Sequence, residues 1–233
     1  MSNKASICVD IWGDFAMFTR PESKVERNTY LAPTPSSIRG VLSAIYNKPV
    51  EFYYEITKIE VMNPIKTLRV KKNELKSVIP NKTLPDDYHI SPEEDRTQRI
   101  NTYLRDVYYR VTANIVMRDG LDSRINITSL VDQFTRRVRQ GKCFYQPCLG
   151  TRECICYFSL PDNTKQPLNI TKDLGIMLYD VFDITRNDQL DTRKKTYNNP
   201  TRVSFFNAKL IDGVMEIPEW SSDLLIRKES LNV

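Results

Sequence analysis

The sequence predicts an α+β protein, and three observations carry that prediction. Strand-like runs with apolar alternation are interleaved with two stretches of helical period, in the order β-α-β, an insertion, then β-α-β. The first helical stretch opens on Thr34-Pro35 and must stop before Pro49, while the second stops at Gly141. Beyond residue 160 only strand-like runs are found. The expected architecture is a ferredoxin-like (RRM-like) β-α-β-β-α-β lobe over residues 1–160, with an inserted arm at about 63–97. A small antiparallel β-sheet lobe over 161–233 follows it.

Each element has its reason. Ile7, Val9 and Ile11 alternate within Ala5–Trp12 and mark a first strand. Gly13–Pro33 is a polar loop carrying Arg20, Lys24 and Arg27. In TPSSIRGVLSAIYN, Thr34 suits an N-cap and Pro35 the first helical position. Ile38, Val41, Leu42 and Ile45 then form one apolar helical face, with Arg39 between them in sequence. Gly40 costs that helix about 1 kcal/mol against alanine, which points to close packing or ligand approach. Val50–Met62 reads as a second strand.

Asn63–Asp95 has no helical pattern and holds the basic KTLRVKKNELK before the polar PNKTLPDDYHISPEED. A segment of this length inside a compact domain is functional or mobile, here an arm. Thr102–Met117 is the clearest long strand. After a slip near Arg105, Val107, Tyr109, Val111, Ala113 and Ile115 share an apolar face. Tyr108, Arg110, Thr112 and Asn114 share the other, polar one. Asn126–Gln140 is a second helix with Leu130, Val131, Phe134 and Val138 inward, and Glu153–Leu160 is a further strand. LGIMLYDVFDI is strand-like, and RVSFFNAKLI and VMEIPEW flank a hairpin turn at Asp212-Gly213.

Composition narrows the function. The 233 residues carry 34 basic and 29 acidic side chains, a net charge of +5 that mildly favours an anionic partner. No run is long and apolar enough to cross a bilayer, so no membrane partner is expected. Five cysteines without an export signal read as reduced thiols of a cytoplasmic protein. No cofactor or metal is expected either. Cys143, Cys148, Cys154 and Cys156 lack the paired spacing of a zinc site. The one histidine, His89, excludes any two-histidine site, and no phosphate-binding glycine fingerprint occurs.

The stretch RRVRQGKCFYQPCLGTREC, residues 136–154, draws the functional argument. Arg136, Arg137, Arg139 and Lys142 crowd a helix end, followed by two aromatics, glycines and Arg152. One cation near a helix C-terminus complements the dipole, but four exceed that need. Arginine forks, exposed amides and stacking rings suit a bent single strand of RNA or another phosphate polymer. A solvated basic surface is the alternative reading.

Four stretches resemble a known family, in the same order: GDFAMFTRPESKVERNTYLAPTPSSIRGVLSAIYNKP, TYLRDVYYRVTANI, GKCFYQPCLGTREC and DLGIMLYDV. They are similar to the "Cas-five" RNA-processing subunit of type I-C CRISPR systems, within the repeat-associated RNA-binding superfamily. The resemblance implies a glycine-rich loop after the second helix of a ferredoxin-like lobe. It implies metal-independent cleavage of the CRISPR repeat in precursor RNA, and retention of the 5′ handle among the other subunits of the interference complex. Such cleavage uses the RNA's own 2′-hydroxyl and needs a base, an acid and a cation. The family's catalytic tyrosine matches Tyr46. Its strand lysine and histidine fall at Thr112 and Asn114, and asparagine cannot donate a proton as imidazolium does. A weakened endoribonuclease is therefore expected, with a non-cleaving RNA-binding subunit of the same complex as the alternative.

Overall fold

The computed structural model describes residues 3–23, 25–77, 79, 88–120, 125–186, 190–191, 196–197 and 202–227. The chain is mixed α+β, with mostly antiparallel sheets and two helices among the described residues. The first half runs β1 (Lys4–Ala16), α1 (Pro35–Ile45), β2 (Phe52–Val61), β3 (Lys66–Leu75) and β4 (Arg96–Met117). Then come α2 (Ile127–Arg139), β5 (Tyr157–Ser159), β6 (Lys172–Asp180), β7 (Leu190–Asp191) and β8 (Thr196–Tyr197). The chain closes with β9 (Ser204–Leu210), β10 (Val214–Glu216) and β11 (Ile226–Arg227).

The main sheet has the order β10-β2-β4-β1-β5, and β3 also pairs with β4. Strand β4 organises it. β1 lies along one edge of β4 from Leu104 to Val116. The other edge is shared: β2 pairs with residues 109–117 and β3 with residues 96–105. The expected slip near Arg105 is the point where β2 hands over to β3, and Asp106 there takes a positive φ of 53°.

Both helices cover one face of this sheet. Thr34 caps α1 as the sequence predicts, its hydroxyl accepting the Ser37 N–H at 3.2 Å. Asn126 does the same for α2 through Ser129 N–H at 2.7 Å. Ile38, Val41, Leu42 and Ile45 of α1, and Leu130, Phe134 and Val138 of α2, bury against Ile7, Val9, Ile11, Val111, Ala113 and Ile115. A Cβ at Gly40 would meet nothing within 4 Å, so no neighbour in the fold requires glycine there.

The opposite face is polar and partly closed. Asp10 of β1, fully buried, accepts hydrogen bonds from Arg110 Nε at 2.8 Å and Nη2 at 3.1 Å. It also accepts from the Tyr108 hydroxyl at 3.1 Å and the Asp162 backbone N–H at 2.9 Å. Trp12 stacks between Tyr108 and Tyr157, and the Lys165 ammonium sits 3.5 Å from the Tyr108 ring centroid. The connection after β5 thus seals the middle of this face.

Three expectations need correction. Glu153–Leu160 is not one continuous strand; only Tyr157–Ser159 joins the sheet, because Thr151–Cys154 forms a turn closed by Cys154 N–H to Thr151 O. The Asp212-Gly213 turn exists, both residues at positive φ, but its two strands splay apart after the Ile211–Val214 bridge. β9 enters a small sheet of order β11-β9-β6, whereas β10 adds to the edge of β2 in the main sheet. Finally, the first part of the insert is regular: β3 and the first half of β4 form a two-stranded extension.

The Asp10–Arg110 pair generates a stability prediction. Arg110→Met leaves a buried carboxylate without its cation and should lower the unfolding free energy by about 3–5 kcal/mol, read by urea denaturation. Adding Asp10→Asn to Arg110→Met should recover part of that loss.

Candidate RNA interface

The end of α1 and the loop after α2 meet. Arg137 Nε donates to the Ile45 carbonyl at 2.7 Å, so a cation of α2 caps the C-terminus of α1. The Arg137 guanidinium also lies 4.1 Å from the Phe144 ring centroid, and Phe144 N–H donates to Ala44 O at 2.8 Å. These bonds lay the segment Gln140–Tyr145 across the end of α1. Gly141, at φ 62°, lets the chain leave α2 sharply enough to do so.

The loop then runs along β1 toward the arm. Met17 N–H donates to Leu149 O at 2.9 Å, and Gly150 lies so close that a Cβ there would stand 1.9 Å from Met17 O. A side chain at Gly150 would thus collide with the protein's own backbone. At the far end Glu153 accepts from Lys72 of β3 at 2.6 Å. One loop thus links the end of α1, the end of β1 and the arm.

The cations divide into two groups. Arg39 is held bidentate by the buried Asp180, Nε at 2.8 Å and Nη2 at 3.0 Å. Arg110 is held by Asp10 as described, and Arg137 by the α1 terminus. Arg20 stacks over Tyr30 and reaches Glu22 at 3.4 Å. Arg136, Arg139, Lys142 and Arg152 are exposed and make no ion pair among the described residues. Arg27 is half-buried near Glu153, whose carboxyl it helps hold below the usual range after the larger effects of Lys72 and Tyr103. Lys24 lies outside the described residues. Phe144 and Tyr145, 56% and 59% exposed, stand among the free cations of the loop.

Tyr46 caps the end of α1, stacked 5.4 Å from Phe52, with its carbonyl accepting the Tyr54 hydroxyl at 2.6 Å. Its own hydroxyl is buried without a hydrogen-bond partner among the described residues. Burial pushes its pKa up, and the nearby Lys48 charge opposes this less strongly. Lys48 itself is bound to Glu51 at 2.8 and 3.0 Å. This Lys48-x-x-Glu51 pairing, legible only as an i,i+3 spacing, was not singled out from sequence.

Thr112 and Asn114 stand elsewhere. They alternate with Val111, Ala113 and Ile115, which face the helices, so their side chains occupy the opposite face of the sheet from Tyr46. The Thr112 hydroxyl is directed at Cys8 Sγ, 3.8 Å away. No three His, Cys, Asp or Glu side chains cluster as metal ligands would among the described residues. All five cysteines are free thiols.

The family model described as CRISPR-associated protein, Cas5, of the Cas5d type matches residues 6–218. The chain belongs to the Cas5d family. It is 37% identical over 239 aligned positions to the CRISPR pre-crRNA endoribonuclease Cas5d of Mannheimia succiniciproducens, covering 96% of this chain and 98% of that one. It is 34% identical to the Cas5d of Thermus thermophilus bearing the same description, covering 97% and 96% of the two chains. Among solved structures, a functionally uncharacterized Streptococcus mutans protein aligns with a TM-score of 0.66 at 23% identity, over 98% of this chain and all of that one. A CRISPR-associated protein aligns with a TM-score of 0.64 at 22% identity, over 97% and 99%. These last two show the fold. In this Cas5d chain the tyrosine site and the polar strand face are separate places.

The orphan hydroxyl makes a testable point. A buried hydroxyl with no partner costs about 1–3 kcal/mol. Tyr46→Phe should therefore leave stability unchanged or raise it by about 1 kcal/mol in a thermal or urea melt. A loss of function in that variant would then report chemistry rather than misfolding.

Proposed function

We propose that this chain binds CRISPR repeat RNA, cleaves precursor CRISPR RNA without a metal, and holds the 5′ handle within the type I-C interference complex. Near full-length similarity to two proteins named pre-crRNA endoribonucleases supports the activity. The observation that carries the RNA contact is the loop 140–154, whose exposed cations and rings run from the end of α1 to the arm. In this reading residues 1–160 form a ferredoxin-like RNA-binding lobe, with residues 63–97 inserted, and 161–233 a small all-β lobe. The order β2-β4-β1-β5, antiparallel throughout with both helices on one face, supports the ferredoxin-like assignment.

Cleavage is assigned to the Tyr46 end of the site. With its pKa raised by burial, Tyr46 stays protonated at neutral pH. It then serves as a hydrogen-bond or proton donor to the departing 5′-oxygen, not as the base that activates the 2′-hydroxyl. Lys48 and the exposed arginines of the loop supply charge for the phosphorane. The hydroxyl is buried beside the Lys48–Glu51 pair, so RNA reaches it only when that neighbourhood opens. One observation favours a second reading, a non-cleaving RNA-binding subunit: the Thr112 and Asn114 face does not join Tyr46 in one site.

Two experiments test this. Changing Arg136, Arg139 and Lys142 together to alanine should weaken repeat-RNA binding and reduce the slope of log affinity against log salt by about 2, at roughly 0.7 per phosphate contact on a single strand. An unchanged slope in the folded variant removes the loop from the interface. In excess EDTA, the parent should cut repeat RNA at one position, and Tyr46→Phe should slow the cut by about 10²–10⁴-fold. The ratio of parent to variant rates should stay constant from about pH 7 to 9, because the raised pKa keeps Tyr46 neutral past the usual tyrosine value of about 10. A ratio that climbs tenfold per pH unit would identify a phenolate base. Tight binding without any product selects the non-cleaving reading.

A further inference from the structure

A cleft of about 240 Å³ opens between the arm and the loop after α2. Phe15 of β1, Leu68 and Val70 of β3, and Tyr103 of β4 give it apolar walls. Phe15 and Tyr103 meet edge to face, their ring centroids 6.4 Å apart, and Phe15 is 43% exposed. An isolated aliphatic and aromatic hollow of this size is below the range that takes drug-sized ligands and suits one planar ring.

Its rim is polar and charged on one side. Glu153 Oε1 accepts from Lys72 Nζ at 2.6 Å and from the Tyr103 hydroxyl at 2.5 Å. Among the described residues these bonds leave Glu153 Oε2 without a partner, while the Lys72 ammonium, besides its bond to Glu153, lies 5.0 Å from the Tyr103 ring centroid. An acceptor and a donor therefore stand side by side at the mouth of an apolar slot. Arg152, exposed, is next to Glu153 in the chain, and Arg27 is close enough to act on the Glu153 charge. Two residues from Tyr103 on the same face of β4, the Asn101 amide nitrogen is buried with no hydrogen-bond partner among the described residues.

We propose that this cleft receives one unpaired nucleobase of the bound RNA, stacked against the exposed ring of Phe15 and read at its edge by Glu153 and Lys72. The inference rests on the RNA-binding reading above and deepens it. The occupant follows from the rim. Arg27 and Arg152 can neutralise the phosphates on either side of a splayed nucleotide, as sequence-specific readers of single strands do. A carboxylate accepts from ring and exocyclic N–H groups, while an ammonium donates to a carbonyl oxygen. Guanine presents both on one edge, N1–H and N2–H for Glu153 and O6 for Lys72, so it gives the fullest match. Adenine offers no carbonyl to Lys72, and uracil only one N–H to Glu153.

The test measures binding of repeat RNA in EDTA by fluorescence anisotropy, using a set of RNAs each lacking the base at one position. With the parent protein, one abasic position should weaken binding by about tenfold, within the range for a single stacked base. In Val70→Trp, which fills the cleft, the same abasic position should cost less than about twofold. Replacing guanine by inosine at that position removes N2–H; the parent should lose affinity severalfold and Glu153→Gln should not. Glu153→Gln keeps the test alive if Val70→Trp fails to fold. If the parent binds repeat RNA but neither variant cancels the effect of any single base, the cleft is not a base pocket while the wider reading stands. If the parent does not bind repeat RNA, both fall.

Discussion

A buried carboxylate holds the working parts of this protein apart. Asp10 has no exposed surface, and a charge in that position survives only when fully paired. Its partners come from β1's neighbour β4 and from the connection after β5, so one side chain ties three pieces of chain together. The Trp12, Tyr108 and Tyr157 stack extends the same seal across three strands. The polar face of the sheet, which on sequence alone looks like an open working surface, is thereby partly built over at its centre. Exposed cations lie elsewhere, along β3 of the arm and on the loop after α2.

That loop is shaped by a second tie of the same kind. Arg137 gives up its freedom to cap α1, and Phe144 is pinned to Ala44. Four basic residues close in sequence therefore have two fates. One is structural, and Arg136, Arg139 and Lys142 stay in solvent because the first has fixed the direction of the backbone. The same geometry carries the chain past Met17 to Glu153, where it meets the arm. Within this segment Arg137 serves the fold, while Arg136, Arg139 and Lys142 make no ion pair among the described residues.

How much was legible depends on whether a residue's neighbours are local. The caps at Thr34 and Asn126 involve bonds three residues away; α2 ends at Arg139, two residues before Gly141, and α1 ends at Ile45, well before Pro49. The alternation of β1 and of residues 107–115 in β4 correctly separates the helix-facing from the polar side chains. The same alternation already implied that Tyr46, at the end of a covering helix, faces the apolar side and cannot share a site with Thr112 and Asn114. The regular β3 within the insert was missed because KTLRVKKNELK is too polar to read as buried. Its strand character comes from ten backbone pairings with β4, not from its own side chains. The Asp212-Gly213 turn has the right local chemistry, yet its strands part because Val214–Glu216 pair with Lys58, Ile59 and Glu60 of β2, a strand far away in sequence.

The sequence by itself determined what rests on spacing: helix ends, strand faces, a basic segment beside aromatic rings, and membership of a family carried by four ordered motifs. Only the tertiary structure decided which cations are spent on carboxylates and carbonyls and which remain for a ligand. Arg39 and Asp180 are 141 residues apart, Arg110 and Asp10 are 100 apart, and Arg137 and Ile45 are 92 apart. The cleft under the arm likewise joins β1, β3, β4 and the late loop. A charge pair is short-ranged in space but indifferent to sequence distance, so its partner is unknown until the sheet has brought the strands together.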